Sequence, residues 1–265
     1  MYPLHFSLAL ALLTAAAGAA AQAPITHEQA LAGNVTPGDA PGYPVTISVP
    51  GHYRLMGNLQ VPSSTGGIHA TVGGVTLDLN GFTVGGPGTC TQSGANNVVT
   101  CTHYALAHLA DRDALSGIRF QGRGNTVRNG TVRGFRGHGV SGGDTVLEDL
   151  VLRDNRYSGF SSFAVGHTSR VSGTRILLNG DHGVHSASYL IFERSAAVKN
   201  GGDGLQTGGA LVTDSVLTNN RRYGIASSSN PHSTVRGTQL RYNHLGPISG
   251  GVLSQGGNYS GGALF

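Results

Sequence analysis

The sequence predicts an all-β fold: a short strand-forming block wound repeatedly into a parallel solenoid. Three observations predict it. Glycine supplies 43 of 265 residues, charged residues only 11%, and tryptophan none, a composition of many short strands and tight bends. From residue 125 the chain repeats a frame of apolar, five on apolar, three on Asn, four on Gly, one on apolar. Within each block apolar residues alternate with polar ones, the period of a strand with one buried face, and no run reaches helical length. The same composition excludes other classes. No Gly-X-Y period marks a collagen, and 38% apolar residues with a net charge of +4 do not fit extended disorder, which needs low hydrophobicity with high charge. A single lysine and three glutamates exclude a coiled coil.

The first segment, residues 1–21, reads as a signal peptide. Phe6 to Ala21 is apolar or small apart from Ser7 and Thr14, and it ends in Ala19-Ala20-Ala21, an h-region followed by a small-residue cleavage site. It lacks the usual basic n-region, carrying only His5. It is too short to span a membrane as a helix of about 20 apolar residues, and no later segment approaches that length. The expected location is therefore secreted or periplasmic. Residues 22–44 read as an N-terminal cap segment, with a helical turn near His27–Leu31, covering the strand edge that a solenoid end exposes. Residues 45–255 read as the solenoid, and 256–265 as a C-terminal tail.

Residues 85–116 interrupt the repeat and read as a long insert off one turn. Insertions in solenoids map to loops on one face, often the binding face. The insert holds two histidines, Asp111, Asp113 and both cysteines, Cys90 and Cys101. In an exported chain such a pair oxidises to a disulfide. With only His103 nearby it falls short of a four-ligand zinc site, so no metal and no cofactor is expected.

The regular blocks set side chains in vertical files. One block runs Asn125 to Val140 and the next Thr145 to Phe160. The frame then recurs as Val171, Ile176, Asn179, Gly183, Val184; as Phe192, Ala197, Asn200, Gly204, Leu205; and as Val212, Leu217, Asn220, Gly224, Ile225. Equivalent strands of successive turns lie about 4.8 Å apart, and one turn cannot bury its own apolar face, so stacking shares the core. The file Asn155, Asn179, Asn200, Asn220, Asn243 reads as a structural ladder in which amides bond along the axis. The file Gly139, Gly159, Gly183, Gly204, Gly224 reads as a source of positive φ at the bend.

The Asn-x-x-x-Gly-apolar repeat, with the upstream runs Pro50–Leu59 and Gly74–Val84, resembles right-handed parallel β-helix repeats of the pectate-lyase-like superfamily. The resemblance covers about residues 45–255. It implies a single-stranded right-handed parallel β-helix of about seven or eight rungs with one disulfide-tied loop insertion. Members of that superfamily include lyases, hydrolases, epimerases and tailspikes, and its carbohydrate-active members bind sugar along an outer sheet. The expected partner is thus a polysaccharide, with an anionic one suggested by Arg156 and Arg221, which both follow the ladder Asn. A non-catalytic carbohydrate-binding scaffold is the alternative. Arginines spread along the chain without a polybasic run exclude a nucleic-acid footprint.

Gly137-His138-Gly139 is similar to a polygalacturonase motif, but that family's Asn-Thr-Asp, Asp-Asp and Arg-Ile-Lys motifs are missing. Before the repeat glycine the file reads His138, Ser158, His182, Asp203, Tyr223, which makes His182 and Asp203 vertical neighbours. A carboxylate beside a histidine raises its pKa and orients it for proton transfer. The candidate acid/base groups are therefore His138, His182 and Asp203, with Arg156, Arg221, His185 and Gln206 as substrate contacts. The competing reading is a polar bend file with only a structural role. Asp181 and Asp203, one file apart, are not expected to converge.

Overall fold

The structure, a computed structural model, describes residues 22–62, 64–102, 111–163, 166–228, 233–261 and 263–264. The leader 1–21, and His103 and the second histidine of the insert, lie outside the described residues.

Alternation of apolar and polar residues gives each strand one inward face, and stacking makes these faces continuous. The chain winds as a right-handed parallel β-solenoid of about nine turns with three sheets. The first sheet runs from Val45–Ile47 through Ile68–Ala70, Ile118–Phe120, Val140–Ser141 and Phe160–Ser162 to Val184, Leu205, Ile225 and Ile248. The second sheet begins at Ala23–Ile25, paired with Gly51–Leu55, and ends at Val252–Ser254. The third begins at Leu59–Gln60 and ends in bridges through Gln239 to Tyr259. The turn count exceeds the seven or eight expected because Ala23–Ile25 and the region around Asn258 join the stack without carrying the repeat frame.

The inward files form one core. Val127, Leu147, Val171, Phe192, Val212 and Val235 are in register and fully buried. The helix His27–Ala32 starts with a capping box, Thr26 with Gln29, which satisfies two orphan donors at its start.

Two side-chain ladders close the bends. Asn179 Oδ1 accepts from the backbone N–H of Asn155 at 3.2 Å and from its Nδ2 at 3.0 Å. Asn200, Asn220 and Asn243 repeat the pattern, each serving the asparagine one turn earlier. Phe135 N–H donates to Asn155 Oδ1 at the upstream end. At another bend hydroxyls do the same work, through Thr174, Ser195, Ser215 and Thr238 to Asn258. Unpaired backbone donors in a dry bend are costly, and both ladders remove that cost.

The glycine file has a different role from the expected one. None of Gly139, Gly159, Gly183, Gly204 or Gly224 has positive φ. A Cβ on Gly183 would lie 3.0 Å from Asn200 Nδ2 and 2.5 Å from Gly204 O, and one on Gly204 would lie 2.9 Å from Asn220 Nδ2. The file is empty because the ladder amides and the next turn's carbonyls occupy the space. Positive φ falls instead just before the ladder, at Asp154, Leu178, Lys199, Asn219 and Tyr242.

The insert contributes an antiparallel hairpin, Thr89–Ser93 with Val98–Thr102, in which Cys90 and Cys101 face each other and form a disulfide. The hairpin lies along the solenoid axis. Cys90 N–H donates to Asp154 Oδ1, Gln92 Nε2 to Asn219 O, and Asn97 Nδ2 to Asn220 O and Tyr242 O. Replacing both cysteines by serine should weaken the hairpin by about 2–3 kcal/mol, the loop-closure value for so short a loop. Amide exchange across Thr89–Thr102 reads it; unchanged protection there would refute the expectation.

Candidate functional site

The first sheet points alternate residues outward. In register these are His69, Arg119, Ser141, Ser161, His185 and Gln206. The end of the insert, Asp111–Ser116, returns beside this face. Asp111 Oδ1 accepts the backbone N–H groups of Asp113 and Ala114, each at 3.0 Å, and Arg119 Nη1 donates to Asp111 Oδ2 at 3.3 Å. Arg112 lies over the Tyr157 ring, 4.3 Å from its centre. Gly137 makes room for this wall, since a Cβ there would meet Leu115 C at 2.5 Å and Ser116 N at 2.6 Å. Packing thus accounts for both glycines of Gly137-His138-Gly139: Gly137 admits the insert and Gly139 the Asn155 amide.

Between wall and sheet lies a cleft of about 430 Å³ lined by Asp111, Arg112, Asp113, His138, Ser161, Asp181, His182, His185 and Gln206. Four of the sequence-predicted residues, His138, His182, His185 and Gln206, meet here. Asp203 sits just beneath, fully buried. Arg156 packs toward Tyr157, 5.9 Å from the ring centre, and Arg221 lines a separate cleft. They are set apart by two intervening turns, those of Gly180 and Gly201, against which the hairpin lies through Cys101 and Val99. Asp113, Arg112 and Asp181 were not among the candidates.

The bend file hydrogen-bonds along the axis. Ser116 Oγ accepts His138 N–H, His138 Nδ1 accepts Ser158 N–H, His182 Nδ1 accepts Asp203 N–H, and Asp203 Oδ1 accepts Tyr223 N–H. The two imidazoles, when neutral, therefore carry their proton on Nε2. That edge of His182 lies 3.2 Å from Asp181 Oδ1, while Asp203 Oδ2 is 3.3 Å from Nδ1. Asp181 and Asp203 do converge, on opposite edges of one ring. One file apart in sequence is no barrier, because the imidazole bridges the two positions.

Charge in the cleft is set by burial. Burial, with the nearby His185 and Arg112, pushes the His138 imidazole down to about 3. Burial also lowers His185. Burial pushes the Asp113 carboxyl up and the carboxylate of Asp111 adds to this, against a smaller opposing pull from Arg119, Ser141 and Arg112. Asp113 Oδ1 has no hydrogen-bond partner among the described residues. It is 3.9 Å from His138 Nε2, beyond hydrogen-bonding reach. Asp111 moves the opposite way, held low by the Ala114 N–H. Two carboxyls two residues apart are thus driven in opposite directions, a pattern of acid/base sites.

His138 fixes a pH dependence. The folded imidazole stays neutral down to about pH 3, whereas the unfolded one takes a proton below about 6.5. Stability from this group is complete above about 6.5 and is lost as pH falls toward 3, by at most about 1.4 kcal/mol per pH unit. Denaturant unfolding across that range should show His138→Gln losing less stability than the wild type. Parallel curves would refute it.

Among the described residues no group of three or more His, Cys, Asp or Glu is arranged to hold a metal ion, and no helix is long and apolar enough to cross a membrane.

A family model described as the right handed beta helix region matches residues 112–260. No curated protein matches the sequence. Among solved structures, the chain is similar to the Dettilon tailspike protein, with a TM-score of 0.48 and 12% identity, covering 79% of this chain and 50% of that one. It is similar to a pectate lyase, at 0.49 and 13%, covering 82% and 65%. It is also similar to the A-module of a mannuronan C-5 epimerase from Azotobacter vinelandii, at 0.48 and 16%, covering 92% and 78%. The chain thus spans half the length of the tailspike and 65% of the pectate lyase. These likenesses are of fold alone.

Proposed function

We propose that this chain, which belongs to the right-handed β-helix family, binds a polysaccharide along the outer face of its first sheet and hydrolyses it in the cleft walled by Asp111–Asp113. The observation that carries this reading is the Asp113 carboxyl, unpartnered at Oδ1 and raised by burial, in a cleft shared with Asp181. A carboxyl that keeps its proton can protonate a glycosidic oxygen, and a second carboxylate can take a proton from the attacking water. Asp113 gives its proton to the leaving oxygen and the anomeric C–O bond breaks. Water adds at the anomeric carbon and its proton passes to Asp181. His182 positions Asp181 through Nε2, and the backbone N–H of Asp203 positions His182 through Nδ1. His138, His185 and Gln206 contact the sugar hydroxyls. The apolar leader and the disulfide support export, secreted or periplasmic, where such a bond is kept oxidised.

Incubation of the protein with neutral and uronic-acid polysaccharides tests the reading. Hydrolysis predicts new reducing ends without unsaturated products. Unsaturated sugars would make the reaction an elimination and remove Asp113 as the acid. A scaffold reading is favoured by one observation, that His138, His182 and Asp203 each spend an acceptor on a backbone N–H. It predicts retained polysaccharide binding with neither product.

A further inference from the structure

The residue following each ladder asparagine forms its own file, Arg156, Gly180, Gly201, Arg221, His244, each donating its backbone N–H to the turn before. The side chain vanishes at Gly180 and Gly201, where the hairpin lies. A Cβ on Gly180 would meet Cys101 Sγ at 3.0 Å, and one on Gly201 would meet Val99 Cβ at 3.3 Å. Beyond Gly201 the file reappears as Arg221 and His244, and Arg222 stands beside them. Here the hairpin tip and the solenoid enclose a second cleft, about 440 Å³, lined by Asn96, Val98, Gly201, Arg221, Arg222 and His244.

Its charge is not balanced. Residues 89–102 of the hairpin contain no Asp or Glu. Arg221 makes no ion pair among the described residues, and the side chains of Arg221 and His244 have no hydrogen-bond partner there. Arg222 faces only the buried Asp203, with Nε 3.7 Å from Oδ1. Asn97 Nδ2, bonded to Asn220 O and Tyr242 O, and Gln92 Nε2, bonded to Asn219 O, pin the wall in place. Two guanidiniums offering fork-shaped donors fit a tetrahedral oxyanion.

We infer that this second cleft is an anion-binding site for a sulfate- or phosphate-type group, built by Arg221, Arg222 and His244 against the hairpin tip. It does not rest on the cleavage proposed for the first cleft, although Arg222 touches Asp203, which lies behind His182. Arg221 and Arg222 stand on one turn and His244 on the next, so the site exists only where the hairpin ends.

Nitrogen–proton spectra of the protein, titrated at constant ionic strength with sodium sulfate, with glucosamine 6-sulfate and with glucosamine, test it. The expected result is saturable shifts at Gly201, Arg221, Arg222 and His244 with a sulfate-bearing probe and none with glucosamine. Response to both sulfate probes assigns a free anion, and response to glucosamine 6-sulfate alone assigns an ester. The double variant Arg221→Gln/Arg222→Gln, altered only at exposed positions and checked for unchanged melting, should bind at least about tenfold more weakly, as loss of two charge-assisted contacts requires. Shifts that sodium chloride reproduces, or an affinity unchanged in the double variant, would overturn the inference.

Discussion

Asn200→Leu is expected to lower the stability of the protein by about 3–5 kcal/mol, among the largest losses a single substitution produces. The side chains are similar in size, so the loss is not a cavity effect. Asn200 Oδ1 accepts from Asn179 N–H at 3.2 Å and from Asn179 Nδ2 at 3.0 Å. Its own Nδ2 donates to Ile176 O at 3.3 Å and to Asn220 Oδ1 at 3.1 Å. Leucine strips the Asn179 N–H of its acceptor and Ile176 O of its amide donor. It takes one bond each from Asn179 Nδ2, which keeps Leu152 O, and from Asn220 Oδ1, which keeps the backbone N–H of residue 200. At this fully buried position each orphaned group costs about 1–3 kcal/mol. The contributions overlap, since neighbours in one network do not add. Gln60→Leu, an exposed position, should change stability by less than about 0.5 kcal/mol. Denaturant midpoints of the two variants measure the contrast. A ladder variant as stable as the surface variant would contradict it.

Asp113→Asn is expected to abolish release of reducing ends, by about 10²–10⁴-fold, the range for loss of a general acid, while making the protein more stable at neutral pH. Burial raises the folded carboxyl above its unfolded value, which is about 3.9. Stability from this group is therefore present below about 3.9 and is lost as pH rises through the folded value. At pH 7 the partly buried charge is a cost that Asn removes, which should raise Tm. At pH 3 both forms are neutral and the gain should vanish. The cleavage rate of the wild type should fall as pH rises through the same raised value. Thermal melts at the two pH values, read beside the product assay, check all three. An Asp113→Asn protein that melts lower at pH 7, or cleaves unimpaired, would remove Asp113 from its role.

Repetition decides what the sequence reveals. Files with one residue type per turn are legible, because the eye can match Val171 with Phe192 or Asn179 with Asn200 without knowing the bend geometry. The four cleft residues His138, His182, His185 and Gln206 come from the repeat and are readable for that reason. Asp113 and Arg112 come from the insert, where no period says which turn they face; only the side-by-side acids Asp111 and Asp113 hinted at them. Asp181 was visible but misplaced, because the imidazole between it and Asp203 carries the contact across files. The glycine file was legible in position but not in cause. Its cause is an amide from the neighbouring turn, which no single block contains. The left-handed positions were illegible, since Asp154, Leu178, Lys199, Asn219 and Tyr242 share no residue type, and the backbone there is fixed by the bends on either side.

Carbon-detected titration of the aspartate side-chain carboxyls tests the chemistry of the cleft without any ligand. The expected spectrum has Asp113 titrating above the ordinary value of about 3.9 and Asp111 below it, two residues apart with shifts of opposite sign. An Asp113 carboxyl that ionises at or below that value would leave the cleft without a proton to give.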